Sequence, residues 1–214
     1  MSARHALPTG ASLRVLSGSG EVVISAEERN DLEVDPPRHV EFKNGGTVEI
    51  RSRSGSLNIR CPRMINISVG VISGHVRLEG EFGSVKVSAV SGSIEVDSAE
   101  GDLDVRSVSG HLTVKRCRGR CQLNTKSGHI RVEDVGGATQ AATMSGRVEV
   151  GTRGQGDMEL KTISGSVSVR VLESKYPRVK FRSLSGRLRC DCPQGTDFDL
   201  KASTISGSLE VTGP

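Results

Sequence analysis

Aliphatic and polar residues alternate along this chain in short runs, and each run follows the same dipeptide. Ser-Gly occurs at Ser54, Ser73, Ser91, Ser109, Ser127, Ser145, Ser164, Ser185 and Ser206, at intervals of 18 to 21 residues. Counting each of these serines as position zero, positions three and five are aliphatic: Val76 and Leu78, Ile94 and Val96, Leu112 and Val114, Ile130 and Val132, Val148 and Val150. Residues two apart on a strand share a face, so these pairs point inward and positions two, four and six face water. A second glycine follows at position ten (Gly83, Gly101, Gly119, Gly137), and after it a second alternation, as in Leu103 and Val105 or Cys121 and Leu123. Each unit therefore predicts two short strands and two corners.

A fixed period of this length is the signature of a solenoid, in which a unit buries its apolar face only against its neighbours. The predicted fold is all-β, a single-stranded parallel β-helix (β-solenoid) of two-strand coils. Equivalent strands of successive coils should pair in parallel at ~4.8 Å, giving a rod of roughly 40 Å between Ser54 and Ser206. The residue two before each serine is mostly small or hydroxylic (Ser107, Thr125, Thr143, Thr162), which suits hydrogen bonding to a strained corner. The residue just before the serine is usually aliphatic (Ile72, Val90, Val108, Met144, Ile163, Leu184, Ile205), and the expectation is a plug sealing the end of the core.

The first 53 residues break the period. A Ser-Gly at Ser17 starts one coil-like segment, and Asn44-Gly45 between alternating runs is a strong hairpin signal. An open sheet edge invites pairing with another chain, and solenoids protect it with atypical terminal segments. Residues 1–53 are thus expected to form an N-terminal β cap and 54–214 the solenoid proper. At the other end, Leu209 and Val211 lie on the last half-coil, closed only by Gly213-Pro214. They are candidate self-association residues for a homodimer.

Composition narrows the reading. One Tyr, four Phe and no Trp imply a thin aliphatic core. A net charge of +4, from 29 basic against 25 acidic residues, argues against nucleic acid as a partner. No apolar run reaches signal-peptide or membrane-spanning length, so membrane insertion is not expected. With an odd number of cysteines, five, the expected location is the cytoplasm, or the cell envelope if a signal or anchor precedes the chain.

The repeated Ser-Gly-x-aliphatic-x-aliphatic units, the irregular β-rich start and the Pro-containing strand at Cys61-Pro62 together resemble the bacterial domain-of-unknown-function family labelled "putative adhesin". The resemblance covers nearly the whole chain. It implies a β-solenoid often placed at the cell envelope, and it brings no catalytic residues.

Several clusters invite a chemical reading. The acidic residues near corners do not recur in register, which excludes a calcium β-roll. Cys121 and Cys190 take the places of Leu or Val in other coils and read as core thiols, and no second pair completes a zinc site. No metal or cofactor is expected. His75, His111 and His129 share position two, a solvated site or a pH-sensitive or metal-contacting pair on adjacent coils. Lys115, Arg116, Arg118 and Arg120 form the densest basic run, a solvated corner or an anion contact. Gln122, Asn124, Ala138, Gln140 and Ala142 make a flat uncharged strip, either a weak coil or an interaction face for a protein or polysaccharide partner. The leading functional expectation is a non-catalytic scaffold or interaction module. The alternatives are an adhesin-like binding domain for polysaccharide, peptide or envelope component and, last, a polysaccharide-active enzyme.

Overall fold

The alternation forms the strands it predicts. The computed structural model describes residues 2–8, 10–43, 45–153, 156–172, 178–192 and 199–212, and contains no helix among them. The regular coils are β7 (Asn66–Phe82), β8 (Val85–Ser91) with β9 (Ile94–Ala99), β10 (Leu103–Cys117), β11 (Cys121–Val135), β12 (Thr139–Thr152), β13 (Met158–Val171), β14 (Arg178–Asp191) and β15 (Asp199–Thr212). Each pairs in parallel with the next. Pairing runs on through the Ser-Gly bend, as Ser109↔Ser127, Gly110↔Gly128 and Leu112↔Ile130. One coil is thus a single folded strand, and the halves before and after the bend stack into two layers of one continuous pairing, a first and a second sheet on opposite faces of the core. Longer repeats leave the bend in register, and the extra residues that lengthen the two longest repeats, near Glu173–Pro177 and Pro193–Asp197, lie outside the described residues.

Inward positions stack in columns. Ile94, Leu112, Ile130, Val148, Val167 and Leu188 form one and Val96, Val114, Val132, Val150, Val169 and Cys190 another, all buried. Full burial of such a side chain is worth about 1.5–3 kcal/mol, realised only when the coils above and below are in place. The five cysteines are free and buried, Cys190 within the second of these columns. Burial pushes the Cys61 thiol up to about 12, and burial with the neighbouring Cys192 does the same to Cys190.

The hydroxyl position behaves as expected in the middle coils. Ser107, Thr125 and Thr143 each donate to the carbonyl oxygen two residues on, at 3.2, 3.2 and 3.1 Å, tying down the bend. The aliphatic position beside it does not. Met144, Ile163 and Leu184 are about half exposed (51, 47 and 50%), and Ile72, Val90, Val108 and Ile205 are exposed as well. No plug forms. Inward residues lie two, four and six places before the serine, so the residue just before it falls on the outward side of its strand; the parity changes only past the Ser-Gly, where positions three and five turn inward.

The start of the rod also departs from expectation. The first coil is β2 (Ser12–Glu27), and its bend is Ser19-Gly20 rather than Ser17-Gly18, because Ser19 and Gly20 pair with Ser73 and Gly74. Residues Ser54-Gly55 bend between β5 (Thr47–Ser52) and β6 (Leu57–Pro62), and both strands pair with β2, not with β7. In space the order is therefore the Ser54 coil, the Ser19 coil, then the Ser73 coil. Three antiparallel strands lie outside this stack. β4 (Val40–Lys43) hairpins onto β5, while β3 (Asp31–Asp35) pairs with β6 and β1 (Ala3–Ala6) pairs with β3.

One ion cluster holds the hairpin. Glu49 on β5 is buried, with its carboxylate 2.6 Å from Lys43 Nζ, 2.6 Å from Arg51 and 3.9 Å from Arg14. The hydrogen bonds from Lys43 and then Arg51 hold its carboxyl below the usual range, against the opposing effect of burial. A carboxylate depressed in the folded state stabilises it above the unfolded value, roughly pH 4.3. That contribution is lost as pH falls through the lower folded value. Glu49→Gln should lower the melting temperature at pH 7, and the difference from wild type should shrink steadily as the pH is taken from 5 to 3. A circular-dichroism melt series showing a constant difference would contradict this.

The bends set a second expectation. Gly110 has φ +138°, and a Cβ built there would overlap the carbonyl oxygen of Gly92 in the coil below. Gly45 has φ +86° with open space around it. Gly45→Ala should cost only the backbone strain, about 1 kcal/mol. Gly110→Ala should cost about 3 kcal/mol or more, since strain and backbone overlap add. Equilibrium urea titrations of the two variants separate these effects.

Candidate functional site

The outward residues of the first strand in each coil lie one, three and five places before the bend serine. On β11 to β14 the column nearest the bend reads Lys126, Met144, Ile163, Leu184, and Ile205 continues it on β15. The next column reads Asn124, Ala142, Lys161, Arg182, with Arg106 before it on β10. Register pairing places each residue directly beside its counterpart, as Ala142↔Lys161 and Lys161↔Arg182. Between the two columns runs a groove of about 900 Å³, floored by Thr125, Thr143, Thr162 and Ser183. Its apolar wall is Met144, Ile163, Leu184 and Ile205.

The charges in the groove lining are Arg106, Lys126, Lys161 and Arg182, all positive. The acidic partners of Arg106, Lys161 and Arg182 sit one column further out. Asp104 is 3.1 Å from Arg106, and Glu159 is 3.0 Å from Lys161 and 3.9 Å from Arg182. The hydrogen bond from Lys161 is the main reason the Glu159 carboxyl titrates below its usual range. Lys126 makes no ion pair among the described residues. A smaller depression of about 520 Å³ near the strand starts mixes both signs, with Arg14, Lys86 and Arg120 against Asp102 and Asp104. It has no comparable excess of one charge.

Three residues of the uncharged strip, Gln122, Asn124 and Ala142, line the groove. Gln140 instead donates to Glu159 at 3.2 Å, and Ala138 is exposed at the corner before β12. The basic run is dispersed rather than gathered. Lys115 bonds Asp97 at 2.7 Å, Arg118 bonds Glu100 at 2.8 Å, Arg116 lies beside Asp134 and Arg153, and Arg120 lines the mixed depression. His111 and His129 lie side by side on the outside of the second sheet, with ring centroids 5.0 Å apart and planes tilted by 48°. Leu209 and Val211 are half exposed (48 and 49%) at inward-facing positions of β15, the last described coil. Among the described residues, no three His, Cys, Asp or Glu side chains converge on a metal-sized site.

The apolar wall of the groove is what the sequence reading assigned to the core. Period-two parity carried its signal: the residue before the serine has the same parity as the outward columns three and five places back. Reading that residue as a plug at the corner hid it.

Comparison with known proteins bears on the fold. No curated protein matches the chain. Among solved structures, a "putative adhesin" from Parabacteroides merdae superposes with a TM-score of 0.64 at 10% identity, covering 99% of this chain and 95% of its own. A second "putative adhesin", from Parabacteroides distasonis, gives a TM-score of 0.61 at 12% identity, covering 99% and 96%. At such identities the likeness is one of fold. The Toastrack model matches residues 6–133, which include β2, the outer Ser54 coil and the coils through Val132, and the chain belongs to that domain-of-unknown-function family, DUF4097.

Proposed function

We propose that the protein is a rigid, non-catalytic interaction module that binds a partner along the groove of its first sheet. The observation carrying this reading is the aliphatic column Met144, Ile163, Leu184, left half exposed in a chain that buries its inward aliphatic columns almost completely. A contiguous apolar surface of this kind marks a binding site more often than isolated exposed residues do. A stack locked by parallel pairing holds these side chains at fixed spacing, so little ordering cost is paid on binding.

The groups that chemistry would draw on are committed elsewhere. The thiols are buried, and those of Cys61 and Cys190 are pushed up to about 12 and that of Cys121 is raised by Cys117 and burial, which makes these three poor nucleophiles. Acidic residues along the rod, such as Asp97, Glu100 and Glu159, are tied in ion pairs between or within coils. The "putative adhesin" names of the two structural neighbours agree with a binding role. A polypeptide partner fits better than a polysaccharide, since sugar rings are usually held on aromatic faces and the groove lining has none.

Photo-crosslinking tests the reading. Benzoylphenylalanine at Leu184 should yield crosslinked products in cells expressing the protein. The same probe at Glu149, on the outer face of the second sheet, should not. Equal products from the two positions, or none from Leu184, would overturn the assignment of the groove.

A further inference from the structure

We infer that the groove receives an amphipathic α-helix with acidic flanks, supplied by a partner protein; this rests on the module reading above. Three features of the groove lead to it.

The first is backbone chemistry. The groove lies on the face of the sheet, where β11, β12, β13 and β14 already pair on both sides. A peptide strand can add only at an edge. On the face, the occupant must satisfy its own N–H and C=O groups, and a helix does so internally.

The second is spacing. Met144, Ile163, Leu184 and Ile205 stand on successive coils, at ~4.8 Å per step and ~14 Å in all. An apolar helical stripe at i, i+4, i+7 and i+11 advances ~5.4 Å per turn and covers ~16 Å over the same four contacts. The two repeats stay nearly in phase over this length. From Arg106 on β10 to Ile205 on β15 the groove spans five steps, roughly 24 Å, or about 16 helical residues.

The third is charge. Arg106, Lys126, Lys161 and Arg182 line the groove without a carboxylate among the lining residues. Glutamate or aspartate flanking the apolar stripe would meet them along its length. Arg106, Lys161 and Arg182 share only Asp104 and Glu159, so a cationic excess remains, and steering by it raises association rates and weakens with salt. A second copy docking by the same groove would instead set one cationic groove against another, because a two-fold contact apposes the same patch on both chains.

The test uses three fluorescein-labelled 18-residue peptides: a Leu stripe at helical spacing with Glu flanks, the same stripe with Lys flanks, and a scramble of the first. Anisotropy at low salt should show the Glu-flanked helix binding at least tenfold more tightly than either control, with affinity falling as salt rises. Ile163→Asp with Leu184→Asp should weaken it at least tenfold while circular dichroism stays unchanged. Lys161→Glu with Arg182→Glu should reverse the preference toward the Lys-flanked peptide, a result that loss of folding cannot produce. The inference is overturned if the three peptides bind alike or not at all, or if charge reversal leaves the preference intact. It is equally overturned if the Ile163/Leu184 variant loses only binding to phosphatidylglycerol vesicles, or only self-association by light scattering. Crosslinking at Leu184 separates the two levels. Products that persist when the peptides fail refute the helix and leave the module, whereas absent products refute both.

Discussion

Every coil depends on one close approach of backbone to backbone. At each Ser-Gly bend the glycine of one coil takes the space that a side chain would need, over the carbonyl oxygen of the glycine beneath: Gly74 on Gly20, Gly92 on Gly74, Gly110 on Gly92 and so on to Gly186 on Gly165. The left-handed φ of these residues lets the strand fold back without interrupting its pairing. That contact fixes the bend in register, and the register in turn aligns the aliphatic columns inside and the charged or apolar columns outside. The opposite corner has its own close stack, Gly119 over Gly101 and Gly137 over Gly119, yet tolerates added residues between β12 and β15. The bend is the fixed side of the rod, and the groove lies right beside it.

The charges on the outside follow the same register. Arg77 meets Glu95, Arg131 meets Glu149, and Arg153 meets Asp134, each across one coil step. These pairs are exposed and individually weak, but a slip of one residue would separate them all while turning every inward side chain outward. The groove stands out because its cations find their acids to one side, leaving the positive ends along the apolar wall.

Much of the fold was legible because parity and period are local properties. Positions three and five of each coil, the hydroxyl position and the second glycine corner could be read directly, and the structure places them as read for Val114, Thr125 and Gly119. Ile163 was misread because a residue beside a corner was taken as a plug, although the parity of the strand leading into the bend places it outside. Ser19 was passed over for Ser17 because the two dipeptides are adjacent, and only pairing with Ser73 distinguishes them. The exchanged order of the first coils left no trace in the pattern, since each rung offers its neighbours much the same aliphatic columns and any rung could sit beside any other. The groove was half visible: Asn124 and Ala142 suggested a flat strip, whereas its apolar wall had been assigned to the core.

The placement of β2 has a consequence for how the rod is put together. Other coils join partners 18 to 21 residues away, but Ser19 must find Ser54 on one side and Ser73, 54 residues on, on the other. Closing a loop three times longer costs only about 1 kcal/mol more, yet it makes this the one junction that cannot be added by simple winding. The segment works as a keystone slid between two later courses. A proteolytic cut that released it would not shorten the rod from its tip; it would open a gap inside, with the Ser54 coil and its antiparallel strands stranded beyond.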